Sequence, residues 1–430
     1  MRRILILGAG TAGTIMANRL RTLYRREVHR REIDITIIDQ DDRHIYQPGL
    51  LFIPFGVYSS DDVVRPRRRQ LGRGIQYVQA GIETLDPSAR TVRLANGRTL
   101  PYDVCIIATG TRIAPEETEG MLGDEWQKSI FDFYTFDGAT KLARALERFA
   151  GGRLVLNVVE MPIKCPVAPL EFAFLADWYF TKRVIRDKVD ITYATPLDGA
   201  FTKPVAARHL GHLLEAKGIR LVTEYNTGSV DAEGKRLLSW DEREVPFDLL
   251  VTIPLHKGSD FIGAVSGLGN DMNFVLTNPR TLQSERFPDI FAIGDATNVP
   301  ASKAGSVAHF EAEVLTQNIR RHLAGEILDP AFDGHANCFI ETGFDKALLI
   351  DFNYDVEPLP GTFPLPGVGP MSLLKETRLN HLGKMAFKWV YWNLLLPGTD
   401  IPGISPQLSM RGKITSTTTA AAAAPEPSLL

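Results

Sequence analysis

The sequence predicts an α/β protein with two Rossmann-like dinucleotide-binding domains, the second inserted within the first, followed by an amphipathic C-terminal region suited to a membrane surface. Three observations carry this expectation. The chain opens on an apolar run, a glycine turn and a helical pattern; two further strand-and-glycine signatures return later; and a segment near the C-terminus sets its apolar residues on one helical face.

The first unit is the most complete. Ile4-Leu5-Ile6-Leu7 has the continuous apolar character of a buried parallel strand. It breaks at Gly8-Ala9-Gly10-Thr11-Ala12-Gly13. There the first glycine permits the turn, the second admits a pyrophosphate to the backbone, and the third lets helix and strand pack closely. Ala12, Ile15, Met16, Leu20 and Leu23 share one face of the following helix. Residues 33–38 form the second strand and deliver Asp39, the acid expected to hydrogen-bond a ribose hydroxyl, with Gln40 beside it. Asp39 stands later than the usual spacing, after a charged insertion at residues 21–32 that is expected to lengthen the helix end and face solvent.

The 430 residues, 44% hydrophobic and 23% charged, suffice for two or three domains with cores of their own. A net charge of -3 lacks the basic footprint of a nucleic-acid-binding protein, although residues 65–73 form a local basic cluster. No secretory signal pattern precedes the first strand, so a cytosolic start is expected. No apolar run reaches the ~18 residues that cross a bilayer. Three cysteines make no disulfide framework, and each is argued singly.

Residues 41–51, mixing polar and apolar side chains, are expected to lie across the cofactor. Residues 76–78, 82–85 and 91–94, with the turn Asn96-Gly97, read as a small antiparallel meander. A strand over residues 103–108 then closes with Ala108-Thr109-Gly110. This resembles the second fingerprint of flavoproteins with two dinucleotide-binding domains, and residues 287–296 resemble the third. In that family the third fingerprint places an aspartate on the ribityl chain of the flavin and aims a helix N-terminus at phosphate or flavin; Gly294 and Asp295 match. The cofactor this implies is FAD. Such flavoproteins insert a second Rossmann-like unit with its own glycine loop for NAD(P)H. Here the strand over residues 153–159 leads instead into Glu160-Met161-Pro162-Ile163-Lys164-Cys165-Pro166-Val167-Ala168-Pro169-Leu170-Glu171. Prolines and long side chains occupy the place of the glycines, so electrons from a nicotinamide are not expected.

Cys165 is expected at the N-cap of a helix with Pro166 at N1, where the dipole (about 0.3–1 kcal/mol) and Lys164 favour a thiolate. Cys338 opens the strand-like run Asn337-Cys338-Phe339-Ile340-Glu341-Thr342-Gly343, whereas Cys105 lies inside an apolar strand as an inert core residue. A cysteine replacing the second glycine loop, and another in CFIETG after the third fingerprint, resemble the redox pair of sulfide:quinone oxidoreductases. Residues 375–384 and Trp389-Val390-Tyr391-Trp392 are also similar to the membrane-binding end of that family. The resemblance implies an FAD enzyme that oxidises sulfide to polysulfide at the Cys165/Cys338 pair and passes two electrons to a membrane quinone. The third working cysteine of many members has no counterpart in residues 116–131, which makes this a two-cysteine pattern. Glu171 is a candidate to move protons or repel bulky anions, the alternative being a first-turn glutamate that favours the dipole. Lys303 resembles a position beside the flavin or quinone, against a solvated loop lysine. His309 reads as a satisfied core histidine, and His256 is a weak candidate for a quinone-side proton donor.

Leu379, Leu382, Met385, Ala386, Trp389 and Val390 fall on one helical face, with His381, Lys384 and Lys388 on the other. That pattern suits a helix lying in a membrane interface, and residues 358–370, with Phe363, Leu365 and Val368, suit an exposed apolar loop before it. The expected divisions are 1–115 and 276–345 for the FAD domain, 116–275 for the inserted domain, 346–412 for the quinone and membrane region, and 413–430 for a disordered tail. The expected product is a peripheral membrane protein, a homo-oligomer being possible. Its rivals are a flavocytochrome-type sulfide dehydrogenase subunit, an NADH:quinone oxidoreductase of the same fold and a non-catalytic flavin adaptor.

Overall fold

In a computed structural model that describes residues 1–401 and 403–415, the chain builds two parallel five-stranded sheets and a smaller C-terminal sheet. The first sheet has Arg2–Leu7 at its centre, flanked by Ile33–Asp39 and Val104–Ile107, with Gln76–Gln79 and Ile290–Ala292 at its edges. The register sets Ile4 between Ile35 and Val104, so apolar side chains fill both faces, as the continuous run predicts. Residues 76–78 join this parallel sheet instead of the expected meander, which is confined to Ile82–Asp86, Thr91–Leu94 and Thr99–Pro101. The charged insertion continues helix Thr11–Leu23 into a second short helix, Arg25–His29, none of whose residues is buried.

The second sheet orders Ile130–Phe131, Leu249–Ile253, Gly152–Val158, Val189–Ala194 and Arg220–Val222. The two connections between the sheets, Arg112–Ile113 and His256–Lys257, run antiparallel against each other. After them Phe261, Ile262, Leu268 and Val275 pack with Leu5, Leu7 and Cys105 of the first unit. The return to the first domain therefore comes near residue 256 rather than at 276.

Ala336–Gly343 and Lys346–Phe352 pair as a hairpin and are joined by Gly361–Leu365 and Gly369–Leu373 in a four-stranded sheet. Residues 358–370 thus contribute a β-hairpin whose tip exposes Leu365 and Val368. Helix Arg378–Val390 lies on this sheet and continues as a π turn, Tyr391–Leu395, that carries Tyr391 and Trp392 into the core. The expected tail begins too early. Lys413 is buried, its ammonium paired with Asp351 beside His335, and Ile414 donates its N–H to the Pro360 carbonyl at 2.8 Å. The rest of that tail, residues 416–430, lies outside the described residues.

Candidate functional site

A cavity of about 380 Å³ opens where the glycine turn, the ends of strands Val104–Ile107 and Ile290–Ala292, the start of helix Gly305–Ala324 and the Cys165 loop converge. Every expected site residue lines it except Gly13, which lies beneath the turn. Gly8 adopts φ +97°, and a Cβ at Gly13 would stand 1.9 Å from the Gly8 carbonyl oxygen. Gly10, by contrast, faces open space, which is the approach a pyrophosphate needs.

Asp39 is fixed at the end of its strand. It accepts the N–H groups of Ala9 (2.7 Å) and Gln40 (2.8 Å), and the Arg67 guanidinium stands 3.0 Å away. Burial pushes its carboxyl up, while Arg67 and the two N–H groups oppose that shift. Arg67, visible in the sequence only as part of a basic cluster, is thus a member of the site.

Two of the helices that start at the cavity, Thr11–Leu23 and Gly305–Ala324, have no side-chain cap, so their first N–H groups are available to an anion. The Thr109 hydroxyl is buried without a partner, and the Asp295 carboxylate faces the cavity. An open glycine cradle, two uncapped helix starts and an orphaned hydroxyl fit a phosphate-bearing, hydroxyl-rich dinucleotide such as FAD. Tyr391 ties the C-terminal region to this cradle, its hydroxyl lying 2.7 Å from both the Thr11 hydroxyl and His44 Nε2.

Lys303 is not a solvated loop lysine. It is buried under the cavity, donating to the carbonyls of Asp295 (3.1 Å) and Thr297 (2.5 Å) above the Phe274 ring. Nearby, Glu311 accepts the Gly294 N–H at 2.6 Å, and burial raises its carboxyl to about 7. A folded-state value above the ordinary one means the folded protein binds the extra proton, so this group's contribution to stability falls as pH rises from about 4.5 to about 7. Glu311→Gln keeps the acceptor and removes that penalty. Denaturant unfolding at pH 8 is expected to show a gain of up to about 3 kcal/mol, vanishing near pH 4.

The cysteines depart from expectation in their local setting. Helix Ala168–Lys182 starts after Val167, so Cys165 is not its N-cap. Cys165 instead takes φ +48°, held by its N–H to the Lys303 carbonyl (2.6 Å) and its carbonyl to the Ala168 N–H (2.9 Å). Pro169, which lacks an N–H, fits the first turn that Pro166 was expected to fill. Nor does the setting favour a thiolate. Burial pushes the Cys165 thiol up, Glu171 and Cys338 add to the shift, and the cation that opposes it is Lys384 rather than Lys164. Cys338 is pushed up to about 12, again chiefly by burial. Both are free thiols on the cavity wall; Cys105 is free as well and fully buried in its strand.

Glu171 is 1% exposed and makes a close ion pair with Lys384, while accepting the Glu341 N–H at 2.7 Å. Burial raises its carboxyl and Lys384 opposes this. The bond to Glu341 ties the first turn of this helix to strand Ala336–Gly343. The polar side of the C-terminal helix is therefore its inner side: Lys384 meets Glu171, His381 meets Glu341 at 2.9 Å, and Lys388 meets Asp62 at 3.4 Å. Its apolar side faces outward, with Leu379, Leu382 and Trp389 52%, 59% and 61% exposed. Met385 and Val390, expected on that face, are only half-buried flanks.

Two histidines stand apart from the cavity. His256 is buried and does not line the cavity; its Nδ1 is 3.1 Å from the Pro254 carbonyl, and burial lowers it to about 3. His309 sits in the core 3.1 Å from Glu313. Among the described residues no helix is long and apolar enough to cross a membrane, and no group of side chains is arranged to hold a metal ion.

The family model described as pyridine nucleotide-disulphide oxidoreductase matches residues 2–159. The mitochondrial sulfide:quinone oxidoreductase of Mus musculus is 25% identical over 402 residues, covering 92% of this chain and 86% of the mouse protein. That of Dictyostelium discoideum is 23% identical over 407 residues, with the same coverage of 92% and 86%. The X-ray structure of the sulfide:quinone oxidoreductase from the hyperthermophilic bacterium Aquifex aeolicus superposes with a TM-score of 0.75 at 20% identity, covering 91% of this chain and 92% of that one. The chain thus has the α/β fold of the pyridine nucleotide-disulphide oxidoreductases and is similar over most of its length to the sulfide:quinone oxidoreductases.

Proposed function

We propose that this protein is an FAD-dependent sulfide:quinone oxidoreductase whose working thiols are Cys165 and Cys338. The observation that carries the reading is the opening of both cysteines onto the cavity that the three flavin fingerprints line. FAD, held by the turn at Gly8, Gly10, Thr11 and Ala12, by Asp39, and by Ala108, Thr109, Gly110, Gly294 and Asp295, would supply the two-electron chemistry between sulfur and quinone.

The cysteines do the sulfur chemistry. When they are joined as a disulfide, hydrosulfide attacks one sulfur; the S–S bond breaks, a persulfide forms there, and the other sulfur leaves as a thiolate. Burial makes that leaving group poor, and Lys384 is the cation that improves it. Each further sulfide joined to the chain gives up two electrons, which FAD would accept and pass to quinone, so the chain would grow towards polysulfide by one sulfur per turnover. Beside Cys338, Phe339, Phe387, Leu50 and Leu51 give the cavity apolar walls suited to a quinone ring.

Purified FAD-loaded protein is expected to reduce a water-soluble quinone with sulfide. Cys165→Ser and Cys338→Ser, each a small isosteric change, are expected to lower that rate at least a hundredfold while retaining flavin. Activity surviving in both variants would exclude the thiol pair.

We also propose that the protein sits on a membrane surface through Leu379, Leu382 and Trp389, the outward apolar side of a helix whose polar side is already paired, together with Leu365 and Val368 exposed at the hairpin tip. Leu382→Glu with Trp389→Glu is expected to abolish co-sedimentation with lipid vesicles and leave turnover of soluble quinone within about twofold. Retained sedimentation would rule this surface out.

A further inference from the structure

Between the cavity and solvent at the edge of helix Arg378–Val390 lies a line of four ionisable side chains. At its inner end Lys384 lines the cavity, pairs with Glu171 and donates to the Phe339 carbonyl at 3.0 Å. Glu341 follows on the adjoining strand. Its carboxylate oxygens lie 2.9 and 3.0 Å from His381 Nδ1, and its own N–H is bonded to Glu171. The His381 side chain, 21% exposed, reaches solvent at the edge of the helix. Stability gives little reason for two buried pairs in series, since apolar side chains of similar volume serve as well. Transport gives one.

We propose that His381, Glu341 and Lys384 carry protons from solvent at the edge of the C-terminal helix to the reduced quinone, with Glu171 holding the ammonium of Lys384 at the inner end. This rests on quinone being the electron acceptor. A quinone that has gained two electrons must gain two protons. Lys384 gives one: its N–H bond breaks, an O–H bond forms on the quinone, and a neutral amine remains. His381 passes its proton to the Glu341 carboxylate, and the flexible stem swings the amine from Glu171 to Glu341, which hands that proton on and restores the ammonium. His381 then takes a proton from surface water. A second passage completes the quinol and returns every group to its starting charge.

Besides one another, these groups face Tyr58 from the loop before residue 61, Tyr46 across from Glu171, and the two thiols; Lys388 is turned away to Asp62. Burial raises both carboxyls, which brings Glu341 closer to a proton-exchanging range than an exposed glutamate.

The test uses FAD-loaded enzyme reduced photochemically, so that it does not depend on sulfide, and mixed anaerobically with a soluble quinone. Flavin absorbance follows electrons and a pH-indicator dye follows protons. Glu341→Gln and His381→Ala are expected to slow proton uptake roughly ten- to a hundredfold, and imidazole is expected to restore the His381→Ala rate. Proton uptake at the unsubstituted rate in both variants, or slowing that imidazole leaves untouched, would overturn the proposal. Failure of quinone to reoxidise the unsubstituted enzyme would overturn it through its acceptor, whereas failure of sulfide alone to reduce the flavin would count only against the sulfide reading.

Discussion

Lys384→Met is expected to destabilise the protein by about 3–5 kcal/mol at neutral pH, because it strands a carboxylate in the interior. Glu171 is 1% exposed and the Lys384 side chain 11%, so solvent does little to replace the lost partner. Burial already raises the Glu171 carboxyl, and Lys384 is the strongest influence holding it down. Without Lys384 the folded protein must bury a bare carboxylate or take up a proton that the unfolded chain releases. The penalty is therefore complete at neutral and alkaline pH and shrinks as pH falls towards the ordinary glutamate range. Denaturant unfolding across pH checks this, and Glu171→Gln combined with Lys384→Met is expected to recover most of the loss. An unchanged midpoint in Lys384→Met would mean that the pair is not buried as described.

Gly13→Ala is expected to yield protein without flavin and with a lowered melting temperature. Its Cβ would stand 1.9 Å from the Gly8 carbonyl oxygen, and Gly8, at φ +97°, packs so closely on the next strand that a Cβ of its own would lie 2.5 Å from the Ala108 carbonyl oxygen. Relief requires the turn to open, which draws the Ala9 N–H away from Asp39. Gly10→Ala separates the two effects. Its Cβ meets no protein atom within 4 Å, so the fold is expected to keep its stability while the pyrophosphate loses its approach. Flavin absorbance per mole of protein, read beside a melting curve, distinguishes the variants. Full flavin content in Gly13→Ala would place the cofactor elsewhere.

What the sequence discloses well is local steric logic. The glycine turn, its strands and Asp295 are readable because each constraint lies within a few residues. The C-terminal helix marks the limit of that logic: period fixes which residues share a face but not which face turns inward. Lys384 and His381 look solvent-facing on a helical wheel because their partners, Glu171 and Glu341, lie 213 and 40 residues away. The same distance effect explains the thiols. Pro166 suggests a capped helix start and a favoured thiolate, yet Cys165 is placed by the Lys303 carbonyl and its thiol is governed by burial and by Lys384. Lys413 likewise reads as the start of a polar tail until Asp351 is set against it. Glu311 carries no motif; it is recognisable only once its carboxylate meets the Gly294 N–H.

The central claim is that sulfide, acting through Cys165 and Cys338, is the electron source of this flavin site. An anaerobic visible spectrum of the FAD-loaded protein, titrated in parallel with sulfide and with NADH, tests it most directly. Sulfide is expected to bleach the flavin, added quinone to restore it, Cys165→Ala and Cys338→Ala to abolish the bleaching, and NADH to leave the spectrum unchanged. Bleaching by NADH, with none by sulfide, would contradict it.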